Sequence, residues 1–311
     1  MFRHKFGVYV ALISAMICWS FSYIWVKVAY VSYGPLTTTL FRLIFAAFFI
    51  FLFSGISKQL MRIKSEDYLT FLLLAFFEPF LYFVGESYSL KYISSTMGAI
   101  IISTIPLFAP LAASRFYGET LSVRNFTGII LSFLGVSIIV FDSSFNFTAS
   151  PLGIALEFLA VASAIGYSTV LMNLTKKYNA PTIITFQNFI AIFYFLPFWL
   201  LFESKEFADT AFDGKAFWAI IKLAVFASVL AFFLFTFGLK KLGINKSNMF
   251  INVIPAMTAV LAWIILDEPM NLRKIIGILI VISGLFVAQL RIKKHLLKLI
   301  PVKQKGKTDM T

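Results

Sequence analysis

Runs of roughly twenty apolar residues, separated by short polar connectors, recur along the whole 311-residue chain. Each run is long enough to cross the hydrocarbon core of a bilayer as a helix. None shows the strict apolar–polar alternation of a barrel strand. The pattern predicts membrane-spanning helices at 7–28, 36–56, 67–89, 94–116, 123–141, 152–174, 181–202, 217–239, 244–266 and 272–290. The expected fold class is therefore an all-α integral membrane protein of ten transmembrane helices. The first run has the charged start of a signal peptide, but it is too long for one and lacks a small-residue cleavage site. It reads as a first span that stays.

The second half repeats the first. A shift of 149 places Pro106 on Pro255, Glu119 on Glu268, Arg124 on Arg273, Gly128 on Gly277 and Gly135 on Gly284. Further upstream it places Leu81 on Leu230 and Phe83 on Phe232, and a shift of 146 aligns Gly7 with Gly153, Ser22 with Ser168 and Pro35 with Pro181. Proline, glutamate, arginine and two glycines in one register point to duplication rather than shared greasiness. Five spans per copy invert the second copy in the membrane, the common plan of secondary transporters. The expected organisation is a first repeat at 1–145, a second at 146–290, and a basic cytoplasmic tail at 291–311.

Charge fixes the expected orientation. Of 27 lysines and arginines, the ten-span arrangement puts nineteen on the side of the N-terminus and six on the other. Arg42 and Lys222 fall within or at the edge of spans. Basic loops stay inside, so both termini are expected in the cytoplasm of a multi-pass cytoplasmic membrane protein. The net charge of +13 is then mainly a topology signal, and its dispersal over many loops argues against nucleic acid as a partner. Composition agrees with a bilayer setting: 60% hydrophobic residues, only 13% charged, and a mean hydropathy of +0.89. Cys18 is the single cysteine, and the two histidines, His4 and His295, lie outside the apolar runs. Neither a disulfide nor a histidine metal site is expected, and no cofactor is implied.

Several stretches carry a resemblance: Trp19–Lys27 (WSFSYIWVK), Phe41–Phe48 (FRLIFAAF), Ser163–Ser168 (SAIGYS), and the long matched pair Tyr88–Val136 and Phe237–Leu285. With these the chain resembles the drug/metabolite transporter superfamily, specifically its EamA-type ten-span transporters, over nearly its whole length. The resemblance implies two five-helix halves around a central cavity and movement of small metabolites, often export. It leaves the substrate open.

Ionisable residues at membrane depth are costly and usually face a cavity or a partner. Here they are Arg42, Glu78, Glu86 and Glu157. Arg42 lies seven residues past Pro35, about 10 Å below the outer boundary, where it can hold a substrate carboxylate or pair with Glu86 or Glu157. Glu78, Tyr82 and Glu86 are spaced by four and share a helix face. Glu78 precedes Pro79, where the helix is already loosened, and can carry a coupling proton. A fixed Arg–Glu pair holding helices together is the competing structural explanation. Trp19 and Ser22 in the first span, and Tyr167, Gln187 and Asn188 in the second half, complete the candidate lining. Asn188 occupies the place of Arg42, so the halves are electrostatically unequal.

Pro106 and Pro255 each remove a helix hydrogen bond and are candidate hinges, static kinks being the plainer alternative. Asn248 and Asn252 precede Pro255 and can bond its freed carbonyl, the favoured reading, or a substrate. Glu119 and Glu268 suit capping or loop ion pairs. The paired glycines, seven apart on one face, suit close helix packing.

The leading expectation is a secondary transporter exporting amino acids or related small metabolites by alternating access, with protons as a coupling ion. A passive facilitator is the alternative. An intramembrane enzyme is a third reading, disfavoured because the chain has neither H-E-x-x-H nor G-x-S-x-G. Without a Walker A pattern, ATP is not an expected energy source.

Overall fold

The computed structural model describes residues 2–108, 123–141 and 147–289. Arg115, Glu119 and the basic tail lie outside them. The main helices are α1 (Phe2–Ala29), α2 (Pro35–Ile56), α3 (Ser65–Tyr92), α4 (Ser95–Phe108), α5 (Val123–Val140), α6 (Pro151–Leu174), α7 (Ala180–Phe202), α8 (Gly214–Leu242), α9 (Lys246–Leu266) and α10 (Leu272–Gln289). Among the described residues the only β feature is one bridge, between Phe141 and Phe147. Among the described residues seven helices, all but α4, α5 and α10, are long and apolar enough to cross a membrane, against the ten spans the apolar runs predict. Their outer faces present Phe48, Phe51, Phe189, Phe193, Trp263 and Ile264. Such a coat suits hydrocarbon and would be an aggregation liability in water.

Local chemistry sets the helix ends. Pro35, Pro151 and Pro181 open α2, α6 and the second position of α7, where a missing N–H costs nothing. Ser94 accepts a hydrogen bond from the Met97 amide and Asn179 from the Thr182 amide. Gly243, at φ 83°, ends α8 in a conformation that only glycine adopts freely.

Packing is pairwise. α3 lies on α6, α2 on α7 and α5 on α10, while α1 packs against α8 and α9. The paired glycines make the α5–α10 contact. A Cβ on Gly135 would sit 2.8 Å from both the Gly277 carbonyl oxygen and the Val281 amide, and one on Gly284 would sit 2.8 Å from the Gly128 oxygen. Ser132 adds a hydrogen bond to the Val281 carbonyl at 3.2 Å. The close packing expected of these glycines is thus present. Because the colliding atoms are backbone, Gly135→Ala should lower stability by about 1–3 kcal/mol, read as an earlier thermal unfolding midpoint in detergent.

Two prolines coincide with breaks in the α geometry. α4 is interrupted by a turn at Ser103 and Thr104 just before Pro106, and their hydroxyls bond the Ile100 and Ile101 carbonyls. α9 runs as a 3₁₀ helix over Met249–Asn252 before continuing as α-helix from Val253, two residues before Pro255. The bond expected from Asn248 or Asn252 to a freed carbonyl does not form. Both polar atoms of Asn248 and Oδ1 of Asn252 are buried without a partner among the described residues. The tighter 3₁₀ turn rearranges the backbone bonds itself.

Candidate functional site

Two wide π turns, each holding one residue more than an α turn, shape the middle of the molecule. They occupy Phe76–Leu81 in α3 and Leu223–Leu230 in α8. Their last residues, Leu81 and Leu230, are partners under the 149 shift. In α3, Glu78 has extended backbone angles (φ −148°, ψ 122°) and is joined to Pro79 by a cis peptide. Wide turns loosen the backbone ladder, and here donors from other helices occupy the exposed carbonyls. The Trp19 indole N–H of α1 donates to the Ala227 carbonyl at 3.1 Å, and the Ser163 hydroxyl of α6 donates to the Phe77 carbonyl. Each half thus reaches into the wide turn of the other.

Near these turns lies a cavity walled by α1, α2, α3, α4, α6, α8 and α9. Trp19, Ser22, Arg42, Glu78, Tyr82, Glu86 and Tyr167 all line it. Glu78 and Tyr82 reach it across the π turn and its extended residue rather than along one regular helical face. Glu157 and Asn188 lie outside the lining. The Asn188 amide donates to its own helix's Ile184 carbonyl at 2.9 Å. Gln187 is buried beside the wall and accepts from the Tyr167 hydroxyl at 3.2 Å.

The lining also holds Tyr23, Phe83, Ser168, Phe232 and Phe235, which charge-led reasoning passed over, and Asn248, for which a substrate contact is the lesser of the two sequence readings. The repeat itself carried the signal. Four partner pairs of identical residues, Ser22 and Ser168, Phe83 and Phe232, Ile102 and Ile251, and Ile105 and Ile254, contribute both members to the wall.

Arg42 is 4% exposed. Its Nε donates to the Ser228 hydroxyl at 2.6 Å, and its guanidinium carbon lies 4.1 Å from the centroid of the Phe83 ring. Among the described residues it forms no ion pair, with Glu86, Glu157 or any other carboxylate. Glu86 and Glu78 act on its charge only through the longer-range field. The cation is thus oriented by a hydroxyl and a ring face, while its terminal nitrogens meet no acceptor among the described residues. Across the cavity the Tyr82 hydroxyl donates to Glu86 Oε1 at 2.9 Å. The Tyr23 hydroxyl lies beside Glu86 without reaching hydrogen-bonding geometry. One cation, two carboxyl groups and an aromatic wall can seat a small molecule that carries both charge and an apolar body.

Around this cavity, carboxylates from distant spans cap helix starts. Glu268, after α9, accepts from the Ser95 and Thr96 amides and the Thr96 hydroxyl at 2.8, 3.3 and 2.8 Å, at the N-terminus of α4. It is a capping residue, as its place between spans suggested, but for a helix far away in sequence. Glu203, after α7, accepts from the Leu36 and Thr37 amides at 3.0 and 2.7 Å, at the start of α2. Lys27 donates to the Leu90 and Ile93 carbonyls at the end of α3.

Asp213, just before α8, accepts from the Ser32 hydroxyl at 2.6 Å and from the Lys215 amide at 2.8 Å. The Ser32 hydrogen bond first, then the backbone amides, hold its carboxyl below the usual 3.8. A depressed carboxylate stabilises the fold above its unfolded value and loses that contribution as pH falls through the folded value. Acidification below about pH 3.8 should therefore lower the thermal midpoint, and Asp213→Asn should flatten that stretch of the pH profile.

The EamA-like transporter family model matches residues 6–141 and again 151–289. The chain belongs to the EamA-like transporter family. It is a membrane transporter with several apolar helices and takes a small-molecule substrate, as the family implies. It is 28% identical over 298 residues to a Bacillus subtilis protein described as "uncharacterized transporter YetK", covering 94% of this chain and 89% of that one. A second "uncharacterized transporter", from Archaeoglobus fulgidus, is 27% identical over 229 residues, or 73% of this chain and 79% of the other. A solved crystal structure superposes with a TM-score of 0.66 over 91% of this chain and 96% of its own, at 16% identity, a likeness of fold alone. The EamA assignment agrees with the resemblance carried by the sequence motifs.

Proposed function

We propose that the protein is a secondary transporter that exports amino acids or related small metabolites across the cytoplasmic membrane by alternating access. The observation that carries this reading is Arg42, a buried cation facing the cavity with no carboxylate paired to it among the described residues. A substrate carboxylate would complete that site, with Glu78, Tyr82 and Glu86 receiving a cationic or hydroxyl group and Trp19, Ser22 and Tyr167 enclosing the body. In this reading Glu157 and Asn188 support the wall from behind.

The architecture proposed is two inverted five-helix repeats, 1–145 and 146–290, with both termini and the tail at 291–311 in the cytoplasm. The repeated wide turns, the cross-half hydrogen bonds and the paired lining residues support it. Pro106 and Pro255 would act as hinges, since each follows a break in its helix. A proton taken up by Glu78 would couple the cycle to the pH gradient.

Comparative profiling of extracellular metabolites tests the reading. Cells expressing the wild type should accumulate a few metabolites outside that cells expressing Arg42→Ala at matched membrane levels do not. No difference with correctly inserted protein would overturn export. For the coupling step, Glu78→Gln should abolish the dependence of transport on the pH gradient.

A further inference from the structure

Behind the cavity wall, Glu157 is in an unusual position. It is 0% exposed, and both carboxyl oxygens are buried without a hydrogen-bond partner among the described residues. A Cβ on Gly98 of α4 would lie 3.5 Å from its Oε1, in ordinary packing contact. The Ser89 hydroxyl lies beside the carboxyl without reaching hydrogen-bonding geometry, and an ionised carboxylate with no cation paired to it among the described residues costs far more than a fold can spare. A proton on the carboxyl removes that cost.

The ionisable groups around it are Glu86 and Tyr82 on α3 and Tyr23 on α1. Glu86 follows Gly85, whose backbone meets the Leu156 carbonyl just before Glu157 on α6, so the two carboxyl-bearing residues flank one helix contact. Glu86 lines the cavity, and its Oε2 makes no protein hydrogen bond among the described residues.

The helix contact that shuts Glu157 in is unusually tight. Gly85 of α3 lies so close to α6 that an added Cβ would be 2.6 Å from the Leu156 carbonyl oxygen and 2.9 Å from the Ala160 amide. These atoms flank Glu157 on its own helix.

We propose that Glu157 is a proton-storage site, sealed by the Gly85 contact between α3 and α6 and exchanging with the cavity through Glu86. When the helices part and water enters, the Glu157 O–H bond breaks and its proton adds to the free carboxylate oxygen of Glu86. Glu157 is then the carboxylate and Glu86 the acid, and Glu86 passes the proton to cavity water. Reloading runs in reverse before the helices close. Proton release is thereby tied to helix separation, which places a second coupling position behind the substrate site. The use of this proton in transport rests on the transporter reading proposed above; the site itself does not.

Infrared difference spectroscopy of the full-length protein in lipid nanodiscs, without substrate, tests the proposal. At neutral pH the wild type should show a carboxylic-acid C=O band that disappears in Glu157→Gln and shifts on transfer to D₂O. Glu86→Gln should retain the band and slow its exchange roughly tenfold or more. A spectrum unchanged by Glu157→Gln, or exchange indifferent to Glu86→Gln, would overturn the proposal. Should Glu86→Gln fail to insert, Gly85→Ala serves instead. It should speed exchange by roughly tenfold by wedging the helices apart, and an unchanged rate would overturn the idea. A negative result here leaves export standing, and a negative metabolite profile leaves the proton site standing.

Discussion

Arg42→Ala is expected to reduce transport of the exported metabolites by roughly 100-fold, about 3 kcal/mol of lost substrate interaction. The size follows from the surroundings. The guanidinium is held by Ser228 on one side and by the Phe83 ring on another, so its terminal nitrogens are already aimed. A substrate carboxylate that meets them gains a charge-assisted contact at a buried site. Without Arg42 that carboxylate is buried beside Glu78 and Glu86 with nothing to offset it. Arg42→Lys should recover only part of the activity, because an ammonium keeps the charge but loses the planar fork and the stacking on Phe83. Transport of the identified metabolites in reconstituted vesicles reads all three forms. Equal rates for Arg42→Ala and wild type would mean that the substrate does not meet this cation.

The second large effect is expected at Glu268. Its two oxygens serve two backbone amides and a hydroxyl at the start of α4. Glu268→Ala leaves those donors unpaired and removes a negative charge from the positive end of the helix. The cost should be about 1–3 kcal/mol. Glu268→Gln keeps an acceptor and should fall between wild type and alanine. Thermal unfolding in detergent measures the order. Because α4 supplies Ile102 and Ile105 to the cavity wall, the alanine variant should also transport more slowly than its lost stability alone accounts for. An alanine variant as stable as wild type would show that water replaces the cap.

Much of this was legible along the chain. Seven of the ten expected spans follow from apolar length among the described residues, and the glycine pairs, seven apart on one helix face, point to close packing without naming the partner helix. The cavity residues with charge stood out since charge at membrane depth needs a reason. What stayed hidden was long-range. Nothing local says that Glu268 caps α4, as the residues it serves are 172 and 173 positions away. Glu203 escaped notice because its partner under the 146 shift is Ser57, so the repeat gave no flag. The available clue was Gly34, which sits at the N-cap of α2 without a side chain to cap it; a Cβ there would be 2.5 Å from the Glu203 carboxyl. The wide turn of α3 was hinted at by Pro79, whereas Leu223–Leu230 contains no proline and reads as ordinary helix.

That unmarked wide turn in α8 bears on how the chain tolerates changes of length. Each residue of an ordinary helix advances the heading of its side chains by about 100°. Deleting one residue from a regular stretch such as the middle of α7 would swing everything beyond it away from its neighbours. Deleting one from Leu223–Leu230 instead lets the π turn close to an α turn, and Phe232 and Phe235 keep their heading toward the cavity. A transporter built with such slack can gain or lose a residue beside its binding site and still present the same wall to what it carries.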